Sequence, residues 1–209
     1  MDIDFSQLTE YQRYKLMASL IVPRPIALVT TLGPDGTVNA APFSMFNMVG
    51  EEPPIVMISL NRRDDASLKD TALNIVRTGE FVVHMADEAI AAQMHRCGEH
   101  HPPHVSELDV VGFTALPSKV VAPPRIAEAP VAFECTLFET METASRQVFI
   151  GQVRWMHARD EQGLFTLFPG SRRPPRAGKP WRVPGRVLKP AHAPKRRVAR
   201  RGRPSRRVG

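Results

Sequence analysis

The spacing of apolar and polar positions changes repeatedly along this chain, and each change predicts an element. Near the N-terminus TEYQRYKLMASLI reads as a short amphipathic helix that Thr9 caps. PRPIALVTTL follows as a β-rich run, which Pro23 and Pro25 admit only at a strand start or a sheet edge. GPDG is a turn in which Gly36 takes a positive φ. The chain resumes as TVNAAPFSMFNMVG, passes EEPP and enters IVMISL, another apolar strand. In SLKDTALNIVRTG, Leu68, Ala72, Ile75 and Val76 share a helical face. Ser67 and Asp70 fit a capping box there, and Gly79 a C-terminal stop. EFVVHMA is a strand, DEAIAAQMHRCG a helix, and GEHHPPHVSEL a loop barred from regular structure by its prolines. VAFECTLFETMET and SRQVFIGQVRWMHARD alternate across a polar turn, like a long hairpin.

The sum is about six or seven strands and two or three helices, with strand links mostly too short for parallel crossovers. That predicts a mainly β architecture, an antiparallel barrel or curled sheet with helices at its edges. Neither a dinucleotide-binding glycine fingerprint nor a Gly-Lys-Ser/Thr phosphate loop is present.

Composition sharpens this picture at the C-terminus. The net charge of +7 averages two unlike segments. Residues 171–209 carry 15 Lys or Arg, no acid and seven of the 20 prolines. Residues 1–170 hold 13 basic against 21 acidic residues, a net of −8. The expected organisation is a domain over 1–165 and a basic Pro/Arg-rich tail over 166–209, read as disordered because it lacks any apolar period. Cys97 and Cys135 cannot make a disulfide scaffold or a four-cysteine zinc site. The acidic, polar start MDIDFSQLTE is not a signal or transit peptide, and no run of about 18 apolar residues predicts a membrane span. The expected location is the cytoplasm.

Three groups of residues carry candidate chemistry. In NAAPFSMFN, small Ala40, Ala41 and Pro42 admit a flat ligand while Ser44 and Asn47 offer polar groups, or the segment is a strand edge with two core phenylalanines. In NRRDDASLKDT, Arg62, Arg63, Lys69 and Thr71 surround a predicted helix start suited to phosphate, or the arginines are solvated and the start is merely capped. His95, His100, His101 and His104 lie near Cys97 and Glu99, yet their spacing fits no closed zinc pattern, so an exposed loop is expected and no metal. His84 and His157 read as hydrogen-bonded sheet residues. No nucleophile elbow supports acyl transfer, and Cys97 is not expected to act as a nucleophile.

In order, PRPIALVTTLGPDGTVNAAPFSMFNMVGEEPPIVMISL and SLKDTALNIVRTGEFVVHM resemble the flavin reductase-like family of FMN-binding split barrels. VSELDVVGFT and the hairpin ending IGQVRWMHARD match that family's later half. The resemblance implies a six-stranded antiparallel split barrel, a homodimer, and FMN (or FAD) near its interface. It implies hydride transfer from NAD(P)H to flavin, with electrons passed to a partner oxygenase, a metal ion or oxygen. Such chemistry resides in the cofactor and needs no protein acid or base. Carried over residue by residue, Thr30 and Thr31 lie beside the flavin, and Asn39, Ala41, Pro42, Ser44 and Phe46 line its ring and ribityl side. Ser59, Leu60 and Asn61 meet its edge or chain. Lys69, Asp70 and Thr71 lie at the phosphate end, with Arg62 as an additional phosphate partner. Asp70 sits oddly beside phosphate and is better placed as a helix cap facing away or as a partner of Lys69.

The resemblance stops near Gly163, where such proteins continue with a Gly-Gly and an aromatic. The tail is then either a GC-rich reading frame out of register or a basic appendage for nucleic acid or an acidic partner. Trp181, the single aromatic of residues 171–209, would make nucleic-acid binding non-specific. The rival functions are thus a flavin-binding electron carrier without turnover and nucleic-acid binding through the tail.

Overall fold

A computed structural model describes residues 2–102 and 104–159, with the backbone of two short strands at 182–183 and 186–187. Helix α1 spans Glu10–Leu20. Thr9 Oγ1 accepts from the Gln12 N–H at 3.3 Å and the Gln12 side chain accepts from the Thr9 N–H at 2.9 Å, a reciprocal capping box. The amphipathic expectation fails, since α1 buries none of its residues and its apolar positions do not gather on one side.

Strands β1 (Ala27–Leu32), β2 (Val38–Phe43), β3 (Phe46–Glu51) and β4 (Pro54–Asn61) come next, then helix α2 (Asp70–Thr78) and β5 (Glu80–Met85). Short helices α3 (Ala91–Arg96) and α4 (Glu107–Val111) precede the two-residue strands β6 (Ala115–Leu116) and β7 (Arg125–Ile126). The long hairpin is β8 (Val131–Glu142) and β9 (Arg146–Ala158). Helix α4 lies where the sequence predicts only loop up to Leu108. Two-residue strands β10 (Arg182–Val183) and β11 (Arg186–Val187) pair antiparallel with each other. The other expectations for the tail fall outside the described residues.

Seven strands form one antiparallel sheet in the order β2-β1-β5-β8-β9-β4-β3. Its two edges, β2 and β3, are consecutive in sequence and joined only by Ser44 and Met45. The sheet must therefore curl until its edges meet at that bend, yet they do not pair, so the barrel is split. Taking β2 and β3 as one strand bent at Ser44 gives the six strands expected.

Strand β1 is buried on both faces, and its alternation divides the core. Ala27 and Val29 point into a barrel cluster with Phe43, Ile58, Phe81 and Phe149. Leu28 points the other way, joining Ala40, Cys97, Leu108 and Phe113 under α3 and α4. Cys97 is thus a core residue rather than part of an exposed loop, and burial followed by the charge of Glu107 pushes its thiol up to about 12. Among the described residues no cluster of three or more His, Cys, Asp or Glu could hold a metal. At Gly151 a Cβ would stand 2.3 Å from Phe81 Cζ, so the hairpin needs glycine to cross the barrel core.

Helix α2 departs from its sequence reading in two ways. It starts at Asp70 behind Lys69, without a side-chain cap. The Ser67 N–H instead bonds Asp65 Oδ1 at 2.9 Å and its carbonyl accepts from the Arg63 N–H. Its inner face is Thr71, Ala72, Asn74 and Ile75, while Val76 is exposed, because the 68–72–75 stripe continues towards 79 rather than 76. Gly79 ends it at φ 70.

Buried polar side chains fasten loops to this frame. His84, fully buried on β5, bonds the Leu28 carbonyl through Nδ1 at 2.9 Å and accepts the Ile126 N–H at Nε2 at 2.9 Å, which fixes the proton on Nδ1. Burial drives its pKa down to about 4 against the opposing pull of the Leu28 bond. Glu134 on β8, also fully buried, accepts the Lys119 N–H, the Val120 N–H and His157 Nε2 at 2.6–2.7 Å. Burial alone would raise its pKa, but these bonds hold it below the ordinary value.

Two predictions follow from the packing. Unfolded His84 protonates near pH 6.5 and folded His84 near 4. Its contribution is complete above pH 6.5 and lost as pH falls towards 4, by about 3 kcal/mol. Denaturant melts between pH 7.5 and 4.5 should show a shallower loss in His84→Gln than in wild type; parallel curves would refute this. Gly151→Ala should cost about 1–3 kcal/mol through the clash with Phe81, read as a lowered denaturation midpoint.

Candidate active site

Curling of the sheet brings β2, the end of β4 and the start of α2 around one cavity of about 580 Å³. Of the residues expected at a ligand site, Asn39, Ala41, Pro42, Asn61, Arg62, Lys69, Asp70 and Thr71 line it. Beneath them runs a polar floor. Asn39 Nδ2 donates to Thr71 Oγ1 at 2.9 Å and to Thr31 Oγ1 at 3.4 Å, and Asn74 Nδ2 donates to Thr31 Oγ1 at 3.1 Å. Thr31 therefore supports the cavity from below. Thr30, one residue earlier, points to the opposite face, where Oγ1 donates to the Pro124 carbonyl at 2.6 Å. Phe46 and Leu60 pack in the barrel core. Ser59 is buried on β4, and Ser44 is half-buried at the bend between β2 and β3.

The cations divide by partner. Arg62 pairs with Glu142, and its Nη1 donates to the Ala66 carbonyl. Arg63 pairs with Asp70 at 2.7 Å and also reaches the Leu68 carbonyl, bracing the loop before α2. Asp70 is thus neither helix cap nor partner of Lys69. Ala66, in the same loop, holds φ 65, a left-handed conformation uncommon for alanine. Lys69 is half-buried and makes no ion pair among the described residues. Burial, then the charges of Arg63 and Arg146, hold its pKa below the usual lysine range. Asp64, Asp65, Asp70, Glu99 and Glu107 line the same cavity, but none of them pairs with this ammonium.

The opposite wall comes from the segment that the sequence predicts as exposed loop. Cys97, Gly98, Glu99, His100, His101 and Glu107 line the same cavity, and Arg63, expected near a phosphate, lines it too. His101 Nε2 is buried without a hydrogen-bond partner. Glu107 is buried in the first turn of α4 and its Oε2 accepts the Ala40 N–H at 2.8 Å. Burial pushes its carboxyl above the ordinary range despite that bond. Ser106 before Glu-Leu-Asp-Val-Val is a helix-start signal that could have found this wall.

The cavity thus has hydroxyl and amide groups on its floor, small residues on one wall and Lys69 at one end. The flavin reductase like domain pattern matches residues 17–174, continuing past Gly163. The chain belongs to the flavin reductase-like family. A protein of Aquifex aeolicus is 46% identical over 147 residues, covering 70% of this chain and 75% of its own. The crystal structure of the Pseudomonas fluorescens 2-nitrobenzoate 2-nitroreductase NbaA is 41% identical with TM-score 0.69, covering 76% of this chain and 77% of that one. Nitrilotriacetate monooxygenase component B from Bacillus cereus is 32% identical with TM-score 0.74, covering 83% and 86%. The mainly β split-barrel fold is the one these relatives share. No helix among the described residues is long and apolar enough to cross a membrane.

Glu107 ties the cavity wall to β2, and its replacement has a predictable outcome. Glu107→Leu should lose about 1–3 kcal/mol of stability by orphaning the Ala40 N–H, whereas Glu107→Gln, which can still accept, should lose under about half as much. Chemical denaturation of the two variants checks this; equal losses would place the role of Glu107 elsewhere.

Proposed function

We propose that this chain is an FMN-binding, NAD(P)H-dependent flavin oxidoreductase that works as a homodimer. Lys69 carries the reading: a half-buried cation without an acid partner among the described residues, beside Thr71 at the start of α2, in a cavity large enough for a flavin. Bound there, the flavin supplies hydride and single-electron chemistry. Lys69 and Thr71 would hold the phosphate by charge and hydroxyl. Ala41 and Pro42 offer a flat apolar wall, and Asn39 offers a polar edge braced by Thr31. FAD is the alternative flavin.

The homodimer is supported by apolar side chains left in solvent. Tyr11, Leu20, Ile21 and Val22 on and after α1 are exposed, as are Phe138, Met141, Trp155 and Met156 on the β8–β9 hairpin. Exposed apolar surface in this amount favours a subunit interface. The likeness to a monooxygenase component from Bacillus cereus favours a partner oxygenase as electron acceptor. The 41% identity to the Pseudomonas nitroreductase favours a nitroaromatic acceptor as a second reading. A metal ion, oxygen, or a carrier role without turnover are the remaining outcomes.

Purified protein should keep a flavin absorbance band through desalting, and NADH or NADPH should bleach it anaerobically. Lys69→Ala should weaken FMN at least about tenfold and riboflavin little, since only FMN carries the phosphate. A retained band that neither nucleotide bleaches would mean a carrier. Equal losses for FMN and riboflavin would move the phosphate away from Lys69.

A further inference from the structure

Asn74 is out of place by packing alone. Helix α2 turns Thr71, Ala72, Asn74 and Ile75 to the sheet, and Asn74 is only 5% exposed there. A buried amide costs free energy unless it is bonded, and an apolar side chain would fill such a position without that cost. Asn74 does not line the cavity. Its Nδ2 donates to Thr31 Oγ1 at 3.1 Å.

That bond is one side of a closed ring. Thr31 is fully buried on β1 and stands directly opposite Asn39 on β2. Asn39 Nδ2 donates to Thr31 Oγ1 at 3.4 Å and to Thr71 Oγ1 at 2.9 Å. Thr71 and Asn74 lie three residues apart on α2, so one helical turn closes the ring. Of its four members, Asn39 and Thr71 also line the cavity, while Thr31 and Asn74 lie behind them.

The ring gives the site a direction. Thr71 Oγ1 accepts the Asn39 amide, and among the described residues it donates to nothing. A hydroxyl has one hydrogen to give, so donation is what Thr71 has left to offer. A phosphate oxygen only accepts, and it meets that hydrogen without displacing Asn39. A ligand N–H or O–H would compete with Asn39 for the same oxygen. Lys69, a rotatable ammonium, supplies charge but no direction.

We propose that Asn74 is a positioning residue for the anion site: through Thr31 and Asn39 it holds the Thr71 hydroxyl as a donor to a ligand phosphate. That the phosphate is a flavin's rests on the function proposed above.

The test uses the full chain freed of flavin, with FMN and riboflavin titrated by flavin fluorescence. The variants are Asn74→Leu, Thr71→Val and the two combined, and a thermal melt confirms that each is folded. If Asn74→Leu does not fold, Thr31→Val opens the same ring and takes its place. Asn74→Leu should weaken FMN about three- to tenfold and riboflavin less than about twofold. The double variant should lose no more FMN affinity than Thr71→Val alone, because Asn74 acts only through Thr71. Equal losses for FMN and riboflavin, an unchanged FMN affinity, or losses that multiply in the double variant would each overturn the proposal. If wild type takes up neither flavin, the flavin reading fails, and inorganic phosphate becomes the probe through the rise it causes in the melting midpoint. A rise that both single variants abolish keeps the proposal. A rise that Asn74→Leu retains, or none in wild type, overturns it.

Discussion

A two-residue link between the outermost strands governs this structure. Ser44 and Met45 join β2 to β3, which sit at opposite ends of the sheet order. A flat seven-stranded sheet would hold its edges about 30 Å apart at normal strand spacing, far beyond the reach of two residues. Curvature is therefore compulsory. Glycine at Gly151 lets the hairpin cross Phe81 on the inside of the curve, and the shift of register within β8–β9 lets those long strands bend. The same curvature makes the cavity: Asn39 on β2, Asn61 at the end of β4 and Lys69 before α2 meet although they come from separate parts of the chain.

Once the sheet is bent, buried acceptors hold its loops in place. On the sheet, His84 accepts the Ile126 N–H and Glu134 the N–H groups of Lys119 and Val120, while Glu107 on α4 accepts the Ala40 N–H of β2. None has to change protonation for its bond to form, and each would leave an unpaired buried group if replaced by an apolar residue. Glu107 does this at the edge of the cavity itself, so the wall that faces a ligand is also one that the fold depends on.

The architecture was legible because its signals are local. Strand alternation, the Asp-Gly turn with Gly36 at φ 85, the Thr9 cap and Gly79 at the end of α2 all depend on near neighbours. Half of the site was legible for the same reason, since Asn39–Pro42 and Lys69–Thr71 are compact segments with strong chemical character. Three things were not. The two faces of β1 separate Thr30 from Thr31, and which one meets the cavity depends on how the sheet curls. The Asp70 pairing depends on a loop that returns Arg63 to the helix start. The Glu107 wall is brought in by a short helix after two prolines, where the reading saw only loop. Each is a long-range consequence with no period of its own.

Residues 1–170 carry a net charge of −8, and the cavity lining is likewise rich in acids, with Asp64, Asp65, Asp70, Glu99 and Glu107 beside Arg62, Arg63 and Lys69. An acidic body repels nucleotides at long range, but beyond about 8–10 Å that repulsion is screened at physiological salt. Lys69 differs from the other cations of the cavity, because it is partly desolvated, feels Arg63 and Arg146 nearby and pairs with no acid among the described residues. The fold bears the cost of holding like charges together, and an arriving phosphate relieves it. On the reading proposed above, affinity for an anionic ligand would come from Lys69, which the fold leaves without an acid partner among the described residues.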